Sequence, residues 1–99
     1  MLLRERQTSD GLLVSVCDPD CLGETYVEGE IELDVTEAFY GGEEAEEVDA
    51  DAVVDSLTRA SVANLVGERA VSVAVEAGIV DEERVLSVDG TLHAQLLWM

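Results

Sequence analysis

Val85-Leu86-Ser87-Val88-Asp89-Gly90-Thr91-Leu92-His93-Ala94-Gln95-Leu96-Leu97-Trp98 reads as two strands joined by a two-residue turn. Asp-Gly suits such a turn, because both central residues of the tightest hairpins need a backbone that Asp and Gly tolerate. Side chains alternate along a strand, so Leu92, Ala94, Leu96 and Trp98 point one way while Thr91, His93 and Gln95 point the other. The first set is a coherent core face. A one-residue slip would bury two polar groups at about 1–3 kcal/mol each and would forfeit roughly 1.5–3 kcal/mol for each exposed leucine. The stated register is therefore strongly favoured.

Toward the N-terminus, Glu68–Ala77 has helical spacing, is apolar nearly all round and is stopped by Gly78, which predicts a largely buried helix. Before it, Val62-Ala63-Asn64-Leu65-Val66-Gly67 is a short apolar piece of strand type. A further helix starts at Asp49 or Asp51 as cap and aligns Val53, Leu57 and Ala60 on one face. Glu30–Val35 alternates Ile31, Leu33 and Val35 against Glu30, Glu32 and Asp34, a half-buried strand that Phe39-Tyr40-Gly41-Gly42 closes with a turn. Asp18-Pro19-Asp20-Cys21-Leu22-Gly23 fits one helical turn, with Asp18 as its cap and Pro19 at the first position. Met1–Gln7 and Leu12–Cys17 pair across Thr8-Ser9-Asp10-Gly11. The order β-β-β-α-(β)-α-β-β predicts an α+β two-layer sandwich, a mainly antiparallel sheet with two helices packed on one face. The 99 residues suit a single domain, 1–99.

The chain holds 23 acidic residues against five arginines, lacks lysine, and carries a net charge of −18. Such a chain repels itself in dilute buffer, whereas at molar salt the Debye length falls to about 3 Å and the repulsion is screened. Dispersed acid without lysine is the composition expected of a salt-adapted, halophilic cytoplasmic protein. A nucleic-acid mimic is the competing reading. Acid is scattered over nearly every segment, with one dense run from Glu43 to Asp51, so salt adaptation explains the composition better. No apolar stretch approaches the roughly 18–20 residues of a membrane span, and the charged start is unlike a secretory signal. The expected location is the cytoplasm, with no membrane partner.

Candidate chemistry is sparse. Cys17 and Cys21, spaced C-x3-C, could hold a metal with His93 as third ligand, but structural zinc sites want four Cys or His ligands and the chain has three. The ordinary reading is one buried strand cysteine and one in a tight turn, and no metal is expected. His93 and Gln95 share the polar strand face, where an imidazole can bind a ligand or move a proton. No nucleophile can be tied to His93 by spacing, so no catalytic residue is assigned. Asn64 and Gly67 precede a helix whose free N–H groups suit an anion, yet Glu68 would repel a phosphate and Gly67 reads as a tight-turn residue. Phe39 and Tyr40 are expected to pack into a core poor in aromatics. Arg4 and Arg6 share a strand face. Local pairing with carboxylates is the expected use of at least three of the five arginines. A basic stripe with interleaved aromatics is missing, which disfavours extended nucleic-acid binding. No cofactor loop is present and no cofactor is expected.

Cys17-Asp18 with Leu22-Gly23, Phe39-Tyr40-Gly41-Gly42, Asn64-Leu65-Val66-Gly67, and Gly90 with His93-Ala94-Gln95 together resemble an archaeal family known as domain of unknown function 424. The order and spacing span nearly the whole chain. Cys21 stands where the family pattern would have an aliphatic residue, which counts against a two-cysteine metal site. The resemblance implies a small two-layer α/β sandwich and an archaeal cytosolic protein, and it carries no established activity. The positions of interest are Cys17, Asp18, Asn64, Gly67, His93 and Gln95. Two functions are in play. One is a non-enzymatic module that docks on a protein or ribonucleoprotein partner, such as the translation apparatus. The other is a small enzyme or ligand-binding protein using His93 and Gln95 with Cys17 or Asp18.

Overall fold

A computed structural model describes residues 1–97. Strands β1 (Leu2–Thr8) and β2 (Gly11–Cys17) form the first hairpin; β3 (Thr25–Glu28) and β4 (Ile31–Asp34) form a second. The short helix α1 (Glu37–Tyr40), strand β5 (Glu46–Glu47), helix α2 (Ala50–Arg59), strand β6 (Val62–Val66) and helix α3 (Glu68–Glu76) follow, and β7 (Leu86–Val88) and β8 (Thr91–Leu97) close the chain. The main sheet has the order β5-β1-β2-β6-β8-β7, antiparallel throughout except for β2 beside β6; β3 and β4 make a separate two-stranded sheet. This is the expected α+β fold with a mainly antiparallel sheet.

Each element follows from local chemistry. Asp89 and Gly90 have φ of 47° and 86°, the two positive values that a tight hairpin turn needs, and Val88 pairs with Thr91 across them. Asp49 caps α2 by accepting from the N–H of Ala52 at 3.0 Å. Val53 and Leu57 bury fully, and Ala60 beyond the helix end is 5% exposed. One core cluster lies between the sheet and the helices α2 and α3: Leu3, Val14, Val16, Ala63, Leu65, Ala94 and Leu96 from the strands meet Val53, Leu57, Ala70, Val71 and Ala74. Leu92 packs at its border, half-buried. Trp98 lies outside the described residues.

Three sequence expectations are corrected, and one strand was missed. Helix α3 buries Ala70, Val71 and Ala74, while Val73 and Val75 are half-buried, so it has a buried face rather than being enclosed. Phe39-Tyr40 belongs to the helix α1, capped by Thr36, whose side chain accepts from the N–H of Phe39. Ile31 is 44% exposed, because β4 pairs only with β3 and not with the main sheet. Strand β3 went unread because Thr25-Tyr26-Val27-Glu28 is too short to show a period against acidic neighbours.

The second face of the main sheet is half covered. The β3–β4 hairpin, α1 and the 3-10 turn Pro19–Cys21 build a smaller cluster there from Cys17, Cys21, Val35, Tyr40 and Val66, bordered by Leu2, Leu22, Tyr26, Leu33 and Phe39.

Candidate functional site

Asp18 was expected to cap the turn that follows it. Its side chain makes no bond there. It reaches instead to α3, accepting from the N–H of Arg69 and of Ala70 at 2.9 Å each. The two free donors at the start of α3 are thereby satisfied by the chain's own carboxylate. Gly67 makes this possible: its φ is +113°, and a Cβ there would stand 2.4 Å from Asp18 Cγ. The free donors before α3, which an anion could have used, are thus filled internally by Asp18.

Cys17 and Cys21 are free thiols within the smaller cluster. Burial, reinforced by Cys21 and Asp18 nearby, pushes the Cys17 thiol up to about 12. Cys21 Sγ stands 3.8 Å from Thr91 Oγ1. Cys17 and His93 occupy one row of the sheet, but Val66 stands between them, paired with His93 and beside Cys17. Two strand spacings, roughly 9–10 Å, separate their backbones. His93 Nδ1 lies 3.0 Å from the carbonyl of Leu65. The Cys17–Cys21–His93 ligand set is therefore not assembled by this geometry. Ligand atoms of Asp18, Asp20 and Cys21 lie within 4.8 Å of one another, with both Asp18 oxygens already engaged by α3.

The remaining positions gather elsewhere. Arg4 pairs with Ser15, Ser15 with Asn64, and Asn64 with Gln95, which sets four polar residues in one row across β1, β2, β6 and β8. The next row runs Arg6, Leu13, Val62, Leu97. These side chains lie on the second face, beyond the part that the hairpin covers. Ser15 is buried, Leu13, Val62 and Asn64 are half-buried, Gln95 is exposed, and Leu97 is 64% exposed. At one end Arg6 stands 4.8 Å over the Phe39 ring, and Phe39 meets Tyr40 edge-on with centroids 5.0 Å apart. At the other end a cleft of about 370 Å³ is lined by Arg84, Leu86, His93, Ala94 and Gln95. Cys17 and Asp18 do not line it.

The arginines are spent differently from expectation. Among the described residues, ion pairs involve Arg4 with Glu44 at 3.6 Å, and Arg59 with Glu5 at 2.8 Å and Asp55 at 3.3 Å. Arg4 also donates to the carbonyls of Ala38 and Gly41, and Arg6 to those of Ala38 and Phe39. They satisfy the orphan carbonyls where α1 ends.

Ser15, Leu97 and Arg84 were not singled out from the sequence. Ser15 and Leu97 are off-core positions of strands whose core faces were legible, so strand alternation alone could have found them. Arg84 is brought in by the 3-10 turn Glu82–Arg84, which Asp81 caps by accepting from the N–H of Glu83 and which is too short to show a period.

These features define a small α+β protein whose sheet is covered by helices on one face and half covered on the other. The chain belongs to the family described as "Protein of unknown function (DUF424)", which matches residues 5–99. It is also similar to a solved structure described as "Crystal structure of an uncharacterized conserved protein from Methanopyrus kandleri", at 29% identity and a TM-score of 0.75, covering 99% of this chain and 92% of that one. No match is found among curated proteins. Among the described residues, no helix is long and apolar enough to cross a membrane.

Proposed function

We propose that this protein is a non-enzymatic docking module that binds a protein surface of a larger assembly, the translation apparatus, through the open half of its sheet. One observation carries the reading: Leu13, Val62 and the 64%-exposed Leu97 adjoin the amides of Asn64 and Gln95 on an uncovered strand surface. Apolar area beside paired amides suits a protein interface. The enzyme reading needs a pocket joining His93 and Gln95 to Cys17 or Asp18; the cleft at His93 reaches neither. We further propose that the protein works in the cytoplasm of a salt-adapted archaeal cell. Phosphate contacts weaken steeply with salt, whereas apolar contacts do not, so a protein partner fits that setting better than RNA.

The test is sedimentation of cell lysate at molar potassium chloride, comparing the natural chain with Leu97→Asp and Asn64→Ala. The natural chain should travel with a heavy fraction and survive ribonuclease treatment of the isolated complex. Leu97→Asp should leave it at the top of the gradient with its melting temperature unchanged. A natural chain found wholly at the top, or an association abolished by ribonuclease, overturns the proposal.

A further inference from the structure

A second surface lies at the edge of the sheet and does not depend on the open face. Strand β5 pairs with β1 at Leu2 and Leu3 only, after which Gly42–Ala45 turns the chain away, with Ala45 N–H bonded to the Gly42 carbonyl. From Arg4 to Thr8, β1 has a strand neighbour on one side, β2.

Hydrogen-bond parity says which backbone groups this leaves free. The Leu12 carbonyl and the Asp18 N–H bond toward β6 and its flanks, accepting from Ser61 and donating to Val66. Alternation then turns Leu13, Ser15 and Cys17 toward β1, where they face Arg6, Arg4 and Leu2. Leu3, Glu5 and Gln7 must turn outward. On the same outer side, the backbones of Met1 and Val48 exchange both hydrogen bonds, at 2.8 and 3.3 Å. Among the described residues, the outward N–H and C=O groups of Glu5 and Gln7 have no partner. They face a cleft of about 640 Å³ lined by Leu3, Glu5, Arg6, Gln7, Glu44 and Glu46.

We propose that this edge receives an extended, basic segment of a partner protein as an added strand of the sheet. Main-chain pairing along Glu5–Gln7 would supply affinity, as in other cases of strand addition. Charge selects the occupant. Strand β5 and the turn that leads into it carry Glu43, Glu44, Glu46 and Glu47, part of the chain's densest acidic run. Arg4 offsets Glu44 and Arg59 offsets Glu5, leaving Glu46 and its neighbours as net acid beside Arg6. A second copy of the chain would bring the same acids against these, with −18 on each molecule. A lysine- or arginine-bearing strand meets no such penalty. At molar salt the Debye length of about 3 Å leaves contact pairs intact and removes the rest.

The probe is a blocked hexapeptide alternating valine with lysine, titrated at molar potassium chloride, with a glutamate-for-lysine peptide as its opposite. Amide exchange of Glu5 and Gln7 should slow with the basic peptide and not with the acidic one. Gln7→Pro removes an outward N–H without touching the β2 ladder, so edge proline is tolerated; it should weaken peptide binding about tenfold or more, while Gln7→Ala binds normally. If Gln7→Pro does not fold, the exchange rates of the natural chain still decide. Equal binding by both peptides, unchanged exchange at Glu5 and Gln7, normal binding by Gln7→Pro, or a dimer that Gln7→Pro dissolves would each overturn the proposal.

Discussion

Asp18 occupies the space that any side chain at Gly67 would need. The carboxylate spans from the end of β2 to the start of α3 and accepts two backbone N–H groups there, and the glycine holds φ at +113° directly beneath it. The pair locks the register of the sheet to the helix that packs on it.

Gly67→Ala should therefore lose both an unstrained backbone and the cap, lowering stability by about 2–4 kcal/mol. Asp18→Ala should cost about 1–2 kcal/mol. Because Gly67→Ala already expels the carboxylate, adding Asp18→Ala to it should cost little more, a strongly non-additive cycle. Urea melts at molar salt measure all three variants. Additive losses would mean that the two residues act independently.

Alkaline pH should destabilise the fold. Cys17 is held up to about 12 against an ordinary 9.0, and burial raises Tyr40 to about 12 from 10.0. The folded chain keeps these protons where the unfolded chain releases them, so the stability they contribute is full below about pH 9 and falls from there toward pH 12. Melts from about pH 8 to 11 should show the decline, with its onset delayed in Cys17→Ala. The same burial should make the native Cys17 inert to iodoacetamide at about pH 8, with labelling appearing only in urea. Prompt labelling of the native protein would show the cluster to be open.

Stability should climb with salt. With a net charge of −18, repulsion among carboxylates is relieved as potassium chloride rises from about 0.1 to about 2 M, and the melting temperature should increase steeply over that range. A flat response would count against salt adaptation and favour the mimic of a nucleic acid.

The hairpin Leu86–Leu97 was legible in its turn and its register, because Asp89-Gly90 fixes the turn and alternation then separates Ala94 and Leu96 from His93 and Gln95; the burial of Thr91 beside Cys21 and the half-burial of Leu92 were not. A cap for α2 at Asp49 or Asp51 was legible for the same reason, a local rule with a short reach, and Asp49 is the one used. The bond from Asp18 to Ala70 spans 52 residues, and nothing local distinguishes that aspartate from one capping its own turn. The polar row Arg4–Ser15–Asn64–Gln95 was half legible. Strand alternation marks each residue as off-core, but their alignment depends on three pairings, one of them parallel, that no turn sequence specifies. Cys17 and His93 came together in the sequence only as residue types able to bind a metal; in the sheet they share a row, and the intervening Val66 separates them.

The parallel pairing of β2 with β6 brings Val16 beside Leu65, with the β3–β4 hairpin, α1, β5 and α2 all strung between them. The centre of the sheet thus cannot assemble from neighbouring segments alone; the two hairpins at its ends can form early, but their union waits on closing a long loop. Folding should be governed by that closure, with a rate in the range of non-local topologies rather than of helical bundles. Loop-closure entropy grows only logarithmically with length. The connection can accordingly accept extra residues at the Gly29-Glu30 tip, far from β2 and β6, with little effect on refolding. Changes at Val16 or Leu65 act on the step that joins the two halves.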